Sequence, residues 1–121
     1  MRYMFLIYSN EANEAAAPEP ARRATALQHQ AIMREAADRG IFLGADPLEP
    51  TSTATTLRST DGKPVIIDGP FAETKEQLAG YYMLECRDLD EAIEWGKRIP
   101  FTCQGTDGSI EIRPVHEIHK P

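Results

Sequence analysis

The sequence has few basic residues, few cysteines and only short apolar runs, and each shortage excludes a class of protein. Lysine and arginine number 13 against 19 aspartates and glutamates, which gives a net charge of −6 at pH 7. Nucleic acids and acidic membranes need a basic face that neutralises phosphates, so direct binding to either is not expected. No apolar run approaches the roughly 20 residues that span a bilayer, so no membrane segment is expected.

The two cysteines, Cys86 and Cys103, are far apart and form no Cys-x-x-Cys pair. The apolar segment at residues 1–8 is too short for a signal peptide and leads straight into Ser9 and Asn10. Lone cysteines without a secretion signal are typical of reduced proteins, so we expect a cytoplasmic location and no disulfide.

The order of apolar and polar residues predicts a β-α-β-hairpin-β-α-β chain that forms a single domain over residues 1–121. Strands are predicted at residues 2–8, 41–45, 53–59, 64–68, 78–86 and 109–115, and helices at residues 21–39 and between Asp88 and Pro100. Residues 9–20 are predicted to be a loop, and Asp61-Gly62 indicates the hairpin turn.

Two helices on one face of an antiparallel sheet make a ferredoxin-like α+β sandwich, here with an inserted β-hairpin. Residues 2–8 are apolar on both faces, so the first strand is expected to be covered on both sides. The chain's own helices cover one face. We therefore expect a second copy of the chain to cover the other, in a homodimer with sheet against sheet.

His29 lies in the apolar stripe of the first helix, together with Ala26, Ile32, Met33 and Ala36. An imidazole on this face points toward the sheet, and its burial requires a hydrogen-bond partner that can tune its pKa near neutrality. A histidine that is satisfied for structural reasons alone is the competing interpretation.

The segment VIIDGPFAETKEQLAGYYMLE places Asp68 at the end of a strand, before a Gly69-Pro70 turn. The Asp68 carboxylate either accepts backbone N–H groups and fixes this turn, or it is oriented toward His29. Phe71 is expected to anchor the loop in the core.

Charged residues follow this turn closely. Glu73 and Glu76 share a side if residues 72–77 form a helical turn, whereas Lys75 points elsewhere. A solvated charged turn is the alternative. The catalytic candidates from sequence are His29, Asp68 and Glu73, and the binding candidates are Phe71, Lys75, Tyr82 and Arg113.

Familiar catalytic motifs are missing, since the chain has no GxSxG, P-loop, GxGxxG or HExxH sequence. No cysteine or carboxylate completes a convincing metal site with the pair His116-x-x-His119. No cofactor and no metal ion are therefore expected.

Two long segments resemble a known family. DGPFAETKEQLAGYYMLECRDLDEAIEWGKRIP, followed by GSIEIRPV, is similar to the DGPF proteins of the YCII-related family. HQAIMREAADRGIFLGADPLEP resembles the first helix and second strand of that family. The resemblance covers most of the chain and implies a ferredoxin-like fold that dimerises into a dimeric α/β barrel.

The resemblance also implies an active site made of a histidine and an aspartate. The family histidine lies about three turns before the glycine that ends the helix, which matches His29 before Gly40. The family aspartate falls at Ile99 in this sequence, so the pair is not inherited whole. Asp68 is the first candidate to replace that aspartate, and Glu73 is the second.

Three functions stay open at this stage. The first is a small-molecule enzyme that uses a His-carboxylate acid/base pair for elimination or isomerisation. The second is a ligand-binding or regulatory accessory protein, because the DGPF branch resembles proteins encoded beside extracytoplasmic-function sigma factors, and an acidic surface suits the basic surface of such a factor. The third is a purely structural dimer, in which the Gly69-Pro70 segment is only a stiff corner.

Overall fold

The computed structural model describes residues 1–103 and 105–121. The strands are β1 (Arg2–Ser9), β2 (Phe42–Pro47), β3 (Thr55–Thr60), β4 (Lys63–Asp68), β5 (Gln77–Glu85) and β6 (Gly108–Pro114). The helices are α1 (Glu11–Ala15), α2 (Glu19–Asp38) and α3 (Leu89–Arg98), with a short 3₁₀ turn at Thr51–Thr53. No helix in the described ranges is long and apolar enough to cross a membrane.

Four strands form one sheet in the order β2-β5-β1-β6, and every neighbouring pair is antiparallel. The strands β3 and β4 form a separate two-stranded hairpin. The predicted α+β class is thus confirmed, and the strand order is compatible with a ferredoxin-like fold.

The core lies between one face of the sheet and the helices α2 and α3. Alternate residues of the two central strands point into it, because side chains on a strand alternate between its faces. The core residues from the sheet are Tyr3, Phe5, Ile7, Tyr82 and Leu84, and those from the helices are Ile32, Ala36, Ala92 and Trp95. Both helices therefore cover the same face of the sheet.

Helix α3 begins where the sequence predicts it. The Asp88 carboxylate accepts the backbone N–H of Glu91 at 2.9 Å, and the Glu91 carboxylate accepts that of Arg87 at 3.1 Å. Trp95 packs in the core, and the guanidinium groups of Arg39 and Arg98 lie 5.4 and 4.9 Å from its ring centre. This helix is fixed at its start by a cap and along its length by burial.

Two local expectations are wrong. Residues 9–20 contain helix α1, which Asn10 caps by accepting the backbone N–H of Asn13 at 2.9 Å. Phe71 does not anchor its loop in the core, because 75% of its surface is exposed in the single chain. Of the two alternatives for residues 72–77, the structure has no helical turn, and Gln77 already belongs to β5.

The second face of the sheet is not covered by any element in the described part of the chain. It presents half-buried apolar side chains from the two central strands, namely Met4, Leu6, Tyr8, Tyr81 and Met83. The strand β6 adds the exposed residues Glu111 and Arg113 to the same face, where they lie opposite Leu6 and Met4 of β1.

Candidate functional site

A cavity of about 480 Å³ lies between helix α2 and the core-facing side of the sheet. Its walls are mainly apolar and come from several elements, with Ile7 from β1, Ala26 and Met33 from α2, Ala45 from β2 and Phe101 from the segment after α3. A mainly apolar pocket with a few polar groups is the usual form of a small-molecule site.

His29 and Tyr82 supply the central polar pair of this cavity. His29 Nδ1 lies 2.7 Å from Tyr82 Oη, and the two rings stack with their centres 5.7 Å apart. Tyr82 is only 2% exposed. His29 therefore has the hydrogen-bond partner that its burial requires. The partner is the phenol of Tyr82 on β5, which is one of the binding candidates from the sequence.

Burial shapes the protonation of both groups. Desolvation lowers the pKa of His29 below its ordinary value and raises the pKa of Tyr82 to about 12. Both side chains are consequently neutral near pH 7, and they can share a hydrogen bond without a net charge in the apolar cavity.

A carboxylate reaches the edge of the cavity, and it is already hydrogen-bonded. Both Glu14 oxygens accept the backbone N–H of Cys103, at 3.1 and 3.0 Å. The Asp46 carboxylate lies on the uncovered side of the sheet, where it accepts the Tyr81 hydroxyl at 2.8 Å. Burial raises the pKa of the Cys103 thiol, so this cysteine is a poor nucleophile at neutral pH.

The close approach of β2 to β5 shapes one wall of the cavity. A Cβ atom on Gly80 would lie 2.9 Å from the Asp46 carbonyl oxygen and 3.2 Å from Pro47 Cα. Only glycine fits this approach without a backbone shift. Gly80 thus keeps the two strands close next to Tyr82.

Asp68 lies at the base of the β3–β4 hairpin, and its side chain is exposed. It does not line the cavity, and within the described residues it forms no hydrogen bond with His29. In one chain the structure brings His29 to Tyr82 and leaves Asp68 outside.

The residue after Asp68 explains the turn. Gly69 has φ of 104°, a conformation that favours glycine. Its N–H donates to the Ala54 carbonyl and its own carbonyl accepts the Thr56 hydroxyl, both at 2.7 Å. The Gly69 backbone therefore closes the base of the hairpin.

The other sequence candidates also lie outside the cavity. Phe71, Glu73 and Lys75 are exposed in the segment that joins β4 to β5, and the Lys75 carbonyl accepts the Asn10 side-chain amide at 3.0 Å. Arg113 is exposed on the uncovered sheet face. Tyr82 is the one binding candidate that the structure places beside His29.

Sequence reasoning missed several residues of the cavity edge, namely Glu14, Arg22, Asp46 and Cys103. Arg22 had a usable signal, because residues 22, 26, 29 and 33 repeat at helical spacing on one side of α2. Glu14 and Cys103 had none, since their positions depend on how helix α1 and the loop after α3 pack. In the described ranges, no three His, Cys, Asp or Glu side chains cluster as metal ligands would.

The lowered pKa of His29 predicts a pH dependence of stability. The unfolded chain, with a histidine pKa near 6.5, takes up this proton before the folded chain does. The free energy of unfolding should therefore fall as the pH drops from neutral toward the folded pKa of His29. Urea denaturation at a series of pH values should show a smaller fall in His29→Gln than in the wild type.

His116→Gln is the matched control, because His116 is exposed in the C-terminal segment. This variant should keep the wild-type dependence on pH. Equal pH dependence in the wild type and in His29→Gln would contradict the lowered pKa.

Comparisons with known proteins identify the family of this chain. The family model of the YCII-related domain matches residues 1–119. An uncharacterized protein of Rhizobium meliloti (strain 1021) is 36% identical over 121 residues, which cover 100% of this chain and 96% of that protein. The chain, with its antiparallel α+β sheet and its cavity beneath α2, therefore belongs to the YCII-related domain family.

Proposed function

We propose that this protein is a small-molecule enzyme that binds its substrate in the cavity beneath α2 and acts on it with His29 and Tyr82. One observation carries the proposal, which is the 2.7 Å contact between His29 Nδ1 and Tyr82 Oη inside an apolar cavity. Polar groups that converge in an apolar pocket, with pKa values shifted by burial, are characteristic of active sites.

The pair suits reactions in which a carbonyl group is polarised and a proton moves. A neutral imidazole can donate or accept a hydrogen bond at one ring nitrogen while the other nitrogen contacts Tyr82. General acid or base catalysis by such a group contributes about 10²–10⁴-fold to a rate. Elimination and isomerisation of small carbonyl compounds are the reaction classes that fit best.

A carboxylate partner for His29 belongs to the same proposal. Within one chain, Glu14 places its carboxylate at the cavity edge, whereas Asp68 and Glu73 lie on exposed segments. A His29-Asp68 pair therefore requires that a second copy of the chain or a movement of the loop bring the carboxylate to the cavity.

We also propose that the protein is a cytoplasmic homodimer of the dimeric α/β barrel type. The support is the uncovered sheet face, which exposes a continuous group of apolar side chains on β1 and β5. A water-exposed apolar sheet face is unfavourable unless a partner covers it.

The regulatory alternative, binding of an extracytoplasmic-function sigma factor, has weaker support. A protein partner would use the exterior of the molecule, and it would not require an apolar cavity that contains a histidine-tyrosine pair. The cavity therefore favours a small-molecule ligand over a sigma factor.

Filling the cavity tests the proposed site directly. Ala26→Phe adds a ring to the α2 side of the cavity and should weaken binding of the probe acetophenone by about tenfold or more. Acetophenone has an apolar body and one carbonyl oxygen, as the cavity requires. Two-dimensional NMR titration of the full chain measures the affinity and shows which residues respond.

Ala24→Phe is the control, because Ala24 is exposed on the same helix and does not line the cavity. It should bind acetophenone as the wild type does. If both variants lose affinity equally, or if the responding residues lie away from His29, the cavity is not the binding site.

A further inference from the structure

We infer that Tyr82 holds His29 in the tautomer that carries its proton on Nε2, so that the cavity presents an N–H donor to its ligand. The cavity then selects compounds whose buried polar group accepts a hydrogen bond, such as the oxygen of a ketone or an aldehyde. This inference rests on the proposed function, because it names the class of ligand for the same cavity.

The geometry leaves one ring nitrogen for the ligand. Nδ1 is occupied by Tyr82 Oη at 2.7 Å, and no other hydrogen bond to the imidazole occurs among the described residues. Every buried side-chain nitrogen or oxygen in this part of the chain has a hydrogen-bond partner. Nε2 has no such partner among these residues and is therefore not a buried atom. Since His29 lines the cavity, Nε2 is the nitrogen that a ligand can reach.

The direction of the hydrogen bond follows from the burial of Tyr82. Its hydroxyl carries one proton, and His29 Nδ1 is its hydrogen-bond partner within residues 1–103 and 105–121. If Nδ1 carried the proton, the phenol proton would have no protein acceptor on a residue that is only 2% exposed. A buried donor without an acceptor is unfavourable, so the hydroxyl donates and Nδ1 accepts.

The protonation of the pair agrees with this assignment. Burial lowers the pKa of His29 and raises that of Tyr82, so a neutral imidazole and a neutral phenol are present together. In a neutral imidazole one nitrogen is a donor and the other an acceptor. With Nδ1 as the acceptor, Nε2 must carry the proton.

The surroundings of the pair fit a carbonyl compound with an apolar body. Ile7, Met33 and Phe101 offer apolar contacts, and the Glu14 carboxylate already accepts a hydrogen bond from the protein. A ligand that brings only an N–H donor would face the Nε2–H group without an acceptor. A ketone oxygen is complementary to it.

Nitrogen NMR of histidine tests the tautomer without any ligand. In ¹⁵N-labelled full-length protein at neutral pH, long-range ¹H–¹⁵N spectra should show His29 Nδ1 in the range of an unprotonated nitrogen and Nε2 in that of a protonated one. Tyr82→Phe should move both shifts toward the average of the two tautomers. Tyr8→Phe, on the uncovered sheet face, should leave them unchanged.

A protonated Nδ1 in the wild type overturns the inference, whether or not the cavity binds small molecules. That result is distinct from a failure of the proposed function, which would appear as unchanged acetophenone binding in Ala26→Phe. Since the wild-type spectrum decides the tautomer, poor folding of Tyr82→Phe would not obscure the answer.

A pair of probes tests the ligand class. Acetophenone offers only an acceptor and indole offers only an N–H donor, and both have an aromatic, mainly apolar body of similar size. The wild type should bind acetophenone about tenfold more tightly than indole, and Tyr82→Phe should reduce this preference. Equal affinity, or tighter binding of indole, overturns the ligand class.

Discussion

His29→Gln should abolish most of the carbonyl chemistry that we propose for the cavity. A ketone whose oxygen accepts the Nε2–H of His29 is polarised, so solvent water should remove its α-protons and return deuterons faster than in buffer. Loss of the imidazole removes this effect and should lower the protein-catalysed rate by about 10²–10⁴-fold. The rate is measured by ¹H NMR, as the loss of the methyl signal of acetophenone in D₂O.

His116→Gln provides the same substitution at an exposed position outside the cavity and should retain the wild-type rate. Tyr82→Phe should give an intermediate rate, because it keeps the imidazole and loses only the group that orients it. A His29→Gln rate equal to that of the wild type would rule out His29 as the reacting group.

The sequence predicts the long helices and strands of this fold because buried residues recur at the period of each element, which is about 3.6 residues in a helix and two in a strand. Alternating apolar residues give the strands, and Ile32 and Ala36 of α2 are buried at the helical spacing. Helix α1 was missed because five residues form a marginal helix in isolation. Distant contacts stabilise it, since the Glu11 carboxylate accepts the Thr51 N–H at 2.8 Å and Glu14 binds the Cys103 N–H.

The candidate site could be predicted only in part, because contacts between distant parts of the chain bring its residues together. The apolar stripe of α2 identifies His29 as facing the sheet. Its partner depends on register, because the pairing of Tyr82 with Phe5 and Ala45 in neighbouring strands places the phenol beneath α2. A sequence gives the alternation of a strand but not the residue that lies opposite a given helix position.

The role of Asp68 could not be predicted from the sequence motif alone. The strain-free φ of Gly69 and its two backbone hydrogen bonds explain the corner without any role for the Asp68 carboxylate in one chain. The hairpin lies outside the four-stranded sheet and leaves that residue exposed, and the residue pattern does not encode this placement.

The hairpin and the uncovered sheet face share one property, which is exposed apolar surface in the single chain. Leu57 and Ile66 pair across the hairpin and are 69% and 71% exposed, and Phe71 at its base is 75% exposed. Surface of this kind is characteristic of protein interfaces. A homodimer that uses the sheet face and the hairpin would bury both, and it would give Asp68 new neighbours.

Leu6→Lys should dissociate that homodimer. Leu6 lies in the middle of the uncovered sheet face, between Tyr81 and Glu111 in the neighbouring strands. In the monomer the new ammonium group can pair with Glu111, so the fold tolerates it. In a dimer it would be buried against apolar side chains, which should weaken association by about 3–4 kcal/mol, or 10²–10³-fold in the dissociation constant.

Size-exclusion chromatography with light scattering measures the mass across a dilution series, and circular dichroism checks that the variant is folded. Leu27→Lys is the matched control, because Leu27 is exposed on α2, away from the uncovered sheet face, and the substitution changes the charge equally. The wild type and the control should have the mass of a dimer where Leu6→Lys has that of a monomer. A wild type that is monomeric throughout would contradict the proposed homodimer. A Leu6→Lys variant that stays dimeric would show that the dimer does not form through the uncovered sheet face.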